Sequence, residues 1–255
     1  MLDRDDVSIA FEERWPTHIE DPGTIVLVHG FASNRSNNWA VQGWYDALTD
    51  AGWHLVALDC RGHGESDKPT DPSAYAGSRM ADDVLALVEH LELESPVLMG
   101  YSMGAAISLH LLSRQPERWA GVVLGGVGDA ILEGLDTGER LARGLEVDDP
   151  STIDDPTAAL FRAFAESLDN DLSALAACAR ASQAGVDPGS LAAVTCPVLV
   201  VAGTSDPILG DPVALAEAIP TADLELIENA DHLTTVPHDR FKDATRAFLE
   251  GIGSP

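Results

Sequence analysis

Short, uninterrupted apolar runs alternate along this chain with longer amphipathic segments. Thr24 to His29 (TIVLVH) is the first run, rich in β-branched residues and bounded by Gly23 and Gly30. Trp53–Leu58, Pro96–Tyr101, Trp119–Leu124 and Pro197–Ala202 follow, and Asp223–Ile227 is a weaker sixth. Apolar runs of this length suit strands buried on both faces. The segments between them carry a helical period. Ser78–Leu91 places Met80, Val84, Leu87, Val88 and Leu91 three or four residues apart, and Met103–Ser113, Pro212–Ile219 and Pro237–Leu249 behave alike. Pro212 and Pro237 sit where the first turn of a helix tolerates proline. Strands alternating with helices predict an α/β fold: a mostly parallel central sheet with helices on both faces. Val7–Glu13 alternates apolar and polar residues, which predicts a more exposed strand at the sheet edge.

The rhythm breaks between Gly128 and Thr195. That stretch has no good strand and three apolar-striped segments, Ile131–Leu145, Pro156–Leu168 and Asp171–Ala184. A structureless loop of such length would be unusual, so it reads as a helical insertion. The expected organisation is a core of residues 1–128 and 195–255, with residues 129–194 as a short helical cap over the carboxyl end of the sheet.

Composition narrows the chemistry. Forty-two acids against fifteen bases give a formal charge of -27. Such a surface repels nucleic-acid phosphates and anionic lipid, so neither nucleic acid nor membrane is expected as a partner. It also suggests adaptation to high salt, where counterions screen the self-repulsion. The cysteines Cys60, Cys178 and Cys196 are odd in number and far apart, with no C-x-x-C pair. They read as reduced thiols. With an acidic N-terminal segment lacking an apolar run, they make a cytoplasmic location the expectation. No H-E-x-x-H or comparable spacing suggests a metal, and Arg61–Ser66 lacks the pattern of a phosphate loop. No cofactor is expected.

Gly100-Tyr101-Ser102-Met103-Gly104 matches G-x-S-x-G, and it follows a predicted strand and opens a predicted helix. A serine on that turn is held in strained backbone geometry with its hydroxyl pointing outward. Strand and helix approach so closely that side chains at positions 100 and 104 would collide. The helix N-terminus behind it offers N–H groups to a developing oxyanion. Ser102 is therefore the candidate nucleophile.

Together with other segments, this motif resembles the α/β-hydrolase superfamily nearly end to end. His29-Gly30-Phe31 is similar to the family's H-G segment, and Asp59-Cys60-Arg61-Gly62-His63-Gly64-Glu65-Ser66 to its D-x-R-G-x-G-x-S loop. Gly203-Thr204-Ser205-Asp206 resembles the acid turn, and Asp231-His232 the base turn. The resemblance implies a catalytic order Ser, Asp, His. His232 lies between the last strand and the last helix and fits as base, while His238, its nearest rival, falls in the predicted final helix. Asp206 fits as the acid that orients the base. Asp129, after the Trp119–Leu124 strand, is the alternative. Asp231 more simply shapes its own loop. Backbone N–H groups of Phe31 and Met103 would complete an oxyanion hole.

The expected activity is a serine hydrolase acting on a small ester-like substrate through an acyl-enzyme on Ser102, a carboxylesterase. Enol-lactone and carbon–carbon bond hydrolysis, cofactor-free perhydrolysis of the haloperoxidase kind and a non-catalytic receptor role are compatible with the same fold, and fold alone does not choose among them. Oligomeric state is not legible in the sequence.

Overall fold

The computed structural model describes residues 1–133, 138–181, 185–208 and 210–253. A small antiparallel hairpin, β1 (Leu2–Arg4) and β2 (Val7–Ile9), opens the chain. The following elements are β3 (Phe11–Arg14), β4 (Thr24–Val28), α1 (Trp44–Thr49), β5 (His54–Leu58), α2 (Arg79–His90), β6 (Val97–Tyr101), α3 (Met103–Arg114) and β7 (Gly121–Gly125). Then come α4 (Ala130–Glu133), α5 (Gly138–Glu146), α6 (Pro156–Ser167), α7 (Leu172–Arg180) and α8 (Pro188–Leu191). The chain returns to the sheet with β8 (Val198–Gly203), α9 (Pro212–Glu217), β9 (Ala222–Ile227) and α10 (Asp239–Ile252). Seven strands form one sheet in the order β3-β5-β4-β6-β7-β8-β9, parallel throughout except for β3, which runs antiparallel to β5 at the edge.

The uninterrupted apolar runs follow from this arrangement, because successive side chains on a strand enter two different cores. Val26 and Val28 of β4, Val56 and Leu58 of β5, and Leu98 of β6 pack with Leu87 of α2, Leu109 of α3 and Leu215 of α9. The alternate residues Ile25, Leu27, Leu55, Ala57 and Met99 pack instead with Trp44 and Leu48 of α1 and Phe241 and Leu249 of α10. Helices thus cover both faces.

Two local expectations are corrected. Val7–Glu13 is not one strand: it divides at Ala10 into β2, which pairs in the hairpin, and β3, which pairs in the main sheet. The cause is a distant loop. Ala10 N–H donates to Ser66 Oγ at 2.8 Å, and the Ala10 carbonyl accepts from Asp59 N–H at 2.8 Å. The last helix begins at Asp239, so Pro237 lies outside it and His238 is its N-cap, with Nδ1 accepting from Arg240 N–H at 3.1 Å.

Between β7 and β8 the described residues are helical. Residues 134–137 and 182–184 fall outside them, so the predicted segment Ile131–Leu145 is seen as α4 and α5, and Asp171–Ala184 as α7. Aspartates start three of these helices: Asp155, Asp171 and Asp187 accept from the N–H groups of Ala158, Ala174 and Gly189, the usual N-cap bond. The Arg162 guanidinium of α6 donates to the carbonyls of Gly144, Leu145 and Val147 and so closes the end of α5. Ala142, Leu145, Phe161, Ala165, Leu175 and Ala176 form a separate small core with Ala32, and Phe31 packs against it. The insertion is thereby fastened to the loop that follows β4.

The charge imbalance yields a stability prediction. Surplus carboxylates repel one another more in the compact chain than in the expanded one, and salt shortens the Debye length from about 10 Å at 0.1 M to about 3 Å at 1 M. The melting temperature should rise between low salt and 1 M KCl, with NaCl acting alike. A flat or falling melting temperature would remove the argument for salt adaptation.

Candidate active site

Ser102 lies between β6 and α3 with φ 53° and ψ -114°. A residue with a side chain rarely adopts positive φ, and such strain persists only where the surroundings over-determine it. Here they do. A Cβ on Gly100 would collide with the Gly104 carbonyl, and one on Gly104 with the Val28 carbonyl of β4. Ser102 N–H donates to the Gly125 carbonyl at 2.8 Å, and its own carbonyl accepts from Ala106 N–H at 2.9 Å. The turn is thus anchored to β7 on one side and to α3 on the other.

Two loops from the far edge of the sheet meet this serine. Ser102 Oγ is 2.9 Å from His232 Nε2, and His232 Nδ1 is 2.7 Å from Asp206 Oδ2. The Asp206 side chain is completely buried and that of His232 is nearly so. The second oxygen of Asp206, Oδ1, accepts from Ile208 N–H at 3.0 Å, so the residue closes an Asx turn and faces the imidazole at once. The loops that carry Asp206 and His232 are tied together: Ser205 N–H donates to the Ala230 carbonyl, and Asn229 N–H to Thr204 Oγ1. A Cβ on Gly203 would strike the Ala230 carbonyl, which explains the glycine there. Asp231 gathers the N–H groups of Leu233 and Thr234 on Oδ1, and these hydrogen bonds hold its carboxyl below the usual range. Asp129 is occupied elsewhere, accepting from Asp211 N–H at 2.7 Å. His238 serves as a helix cap.

Tyr101 is a contributor that the sequence does not reveal. Its hydroxyl donates to the His232 carbonyl at 2.6 Å, bracing the histidine loop from the residue before Ser102. As the variable position of the G-x-S-x-G motif, it carries no signal of its own.

The loop after β4 is set by buried histidine chemistry. His29 Nε2 accepts from Cys60 N–H at 2.9 Å, so Nδ1 carries the proton and donates to the Gly30 carbonyl at 2.8 Å. Burial lowers the His29 pKa to about 4, which keeps this neutral tautomer at physiological pH. Ser33 N–H donates to the same Gly30 carbonyl. In a trans peptide the N–H points opposite to the C=O, so Phe31 N–H faces away from those donors. Neither Phe31 N–H nor Met103 N–H has an acceptor among the described residues. The loop Asp59–Ser66 is bound up in internal contacts. Arg61 forms a two-pronged pair with buried Asp83 at 2.6 Å on both arms, and Asp59 accepts from the N–H groups of Arg35 and Glu65.

A cavity opens at Ser102 in two lobes that share Phe31, Ser102, Phe161 and His232. The larger lobe, about 290 Å³, runs under the insertion past Met103, Ile131 and Leu141. The smaller, about 160 Å³, runs toward the loop after β4. Phe31 and Phe161 meet edge to face at 5.6 Å between centroids. Among the described residues, no group of three or more His, Cys, Asp or Glu is placed to hold a metal, and no helix is long and apolar enough to cross a membrane. The three cysteines are free thiols, with Cys60 and Cys178 buried.

A family model described as the alpha/beta hydrolase fold matches residues 23–143, which include Ser102 but not Asp206 or His232. Among curated proteins, the chain is similar to a "Putative 2-succinyl-6-hydroxy-2,4-cyclohexadiene-1-carboxylate synthase" of Bacillus subtilis, with 31% identity over 140 residues. That match takes in 54% of this chain and 47% of the relative. Three further curated relatives are matched over 31–39% of their length, so the chain spans at most about half of the relatives in this group. The likeness to 3-oxoadipate enol-lactonase 2 of Acinetobacter baylyi is broader: 27% identity over 243 residues, 86% of this chain and 87% of that one. Among solved structures, a thermophilic esterase from Thermogutta terrifontis superposes with a TM-score of 0.74 at 25% identity, covering 97% of this chain and 95% of that one. With the parallel sheet, the glycine-flanked serine turn and likenesses that run nearly end to end, the chain has the α/β-hydrolase fold.

Proposed function

We propose that this protein is a serine hydrolase with carboxylesterase activity, in which Ser102 is the nucleophile, His232 the base and Asp206 the orienting acid. The observation that carries the reading is the continuous relay from Ser102 Oγ through both nitrogens of His232 to the buried Asp206. A serine hydroxyl needs a base to take its proton as it attacks, and this imidazole is within reach. Asp206 accepts from Nδ1–H and so leaves Nε2 bare to accept the serine proton.

In the first half-reaction Oγ bonds to the acyl carbon, its proton passes to Nε2, and the carbonyl oxygen becomes an oxyanion. The free N–H groups of Phe31 and Met103 are its proposed donors. Collapse expels the alcohol oxygen, which takes the proton from His232, and leaves an ester on Ser102. In the second, water gives a proton to His232 and attacks that ester. The tetrahedral species then releases the acid, and the proton returns to Oγ. Residues 129–194 act in this reading as a cap, whose α6 places Phe161 against the site.

Lactone hydrolysis is the second reading, favoured by the likeness to the enol-lactonase over 86% of this chain. The steps are the same, with the leaving oxygen tethered to the acyl group. Chromogenic esters of increasing acyl length, assayed beside lactones, separate the two. Esterase activity predicts turnover of the esters with a preference that depends on chain length. Faster opening of lactones than of any ester would select the second reading, and inertness of folded protein toward both would overturn each.

A further inference from the structure

The proposed relay has two contacts, and the fold fixes them by different bonds. His232 sits in a segment, residues 230–236, that is largely closed on itself. The Asp231 side chain accepts from the N–H groups of Leu233 and Thr234, and the Asp231 carbonyl from Thr235 N–H. Such a segment moves largely as one piece, so its outward bonds decide where the imidazole stands. On one side, Ser205 N–H donates to the Ala230 carbonyl, and Asn229 N–H to Thr204 Oγ1 at 2.9 Å. These bonds register His232 against Asp206. Trp44 Nε1 holds the far end through the Val236 carbonyl at 2.9 Å.

Toward Ser102, the backbone of this segment is held by a side chain. The His232 carbonyl accepts from the Tyr101 hydroxyl at 2.6 Å, and Tyr101 is the residue joined directly to Ser102. The phenol has little room to swing. Tyr101 is only 3% exposed. A Cβ on Gly125 would lie 2.9 Å from Tyr101 Cδ2, and one on Gly126 2.6 Å from Cζ, so the end of β7 presses along the length of the ring. Phe241 of α10 stands nearby, 6.3 Å between ring centroids. Burial and the nearby Asp206 carboxylate push the phenol pKa up, so the hydroxyl keeps its proton and remains a donor.

We infer that Tyr101 is a positioning residue whose hydroxyl sets the approach of His232 Nε2 to Ser102 Oγ, while the bonds from Thr204 and Ser205 set the approach of Nδ1 to Asp206. The inference rests on Ser102 and His232 as nucleophile and base. Without the hydroxyl, the His232 carbonyl loses its donor and the segment drifts from Ser102, with the Asp206 contact kept. A misplacement of about 1 Å costs about 100-fold in rate. Both half-reactions pass their proton through His232, so both slow together. KM depends on the ratio of the two rates and stays where it is.

The test is Tyr101→Phe, which removes one oxygen and keeps the packing of the ring. The expected result on 4-nitrophenyl butyrate is a kcat lower by about 10–100-fold with KM within about twofold of wild type. Labelling of Ser102 by a fluorophosphonate should slow to match. The downfield proton resonance of His232 Nδ1–H, held by Asp206, should persist. Replacing Tyr101 by 4-aminophenylalanine keeps a donor in the same place and should recover most of the rate. Thr204→Val removes a bond on the other side of the segment and should leave kcat within about threefold, because the Ser205 bond remains. An unchanged kcat in Tyr101→Phe, an equal fall in Thr204→Val, loss of the resonance or failure of the rescue overturns the positioning role. So does a Tyr101→Phe chain that does not fold, since the hydroxyl would then serve stability. Wild-type protein inert toward the ester, with Ser102 unlabelled, overturns the underlying reading instead.

Discussion

Ser102→Ala should give a folded protein whose ester turnover falls by about 10⁵-fold or more. The substitution removes one oxygen whose described side-chain partner is His232. It leaves the Cβ and the anchoring bonds from Ser102 N–H to Gly125 and from Ala106 N–H to the Ser102 carbonyl. Alanine must adopt the same positive φ, so the strain is unchanged in kind and the melting temperature should move little. What remains of catalysis would come from the oxyanion donors and binding alone. Steady-state rates on a chromogenic ester, read beside a thermal melt, check this. Retention of more than a few per cent of wild-type activity would remove Ser102 from the chemistry.

Asp206→Asn should lower kcat by about 10³–10⁴-fold, by analogy with the serine-protease triad. The amide oxygen of asparagine can keep the Ile208 N–H bond, which turns its NH₂ toward His232 Nδ1. A donor there draws the imidazole proton to Nε2, where it blocks acceptance from Ser102. The fold has no reason to change, because volume and the Asx turn are preserved. Asp129→Asn should cost far less, since Asp129 bonds Asp211 N–H rather than the imidazole. Parallel kcat measurements decide it, and a reversal of the two effects would move the acid to Asp129.

Much of this architecture is legible in the sequence because parallel strands bury both faces. Runs such as TIVLVH and PVLVVA could hardly be anything else once bounded by Gly or Pro. The serine turn is legible because close approach at Gly100 and Gly104 excludes side chains. The misses have a common cause in contacts between residues far apart along the chain. The break at Ala10 depends on Ser66 and Asp59, neither of which marks the alternating pattern of Val7–Glu13. The role of the Tyr101 hydroxyl depends on the carbonyl of a residue in the last loop. The segment Ser33–Gln42 reads locally as an asparagine-rich connection. Its organisation becomes visible only when Gly30 N–H and Asn38 Oδ1 are brought together.

The most direct measurement of the central claim is labelling of the folded protein with a fluorophosphonate, followed by mass mapping of the adduct. A serine activated by His232 should take up one phosphonyl group per chain, located on the peptide containing Ser102, with simultaneous loss of ester hydrolysis. His232→Ala should abolish the labelling while the protein stays folded. An unlabelled Ser102 in folded wild-type protein, or an adduct on another residue that accompanies the loss of activity, would contradict the assignment.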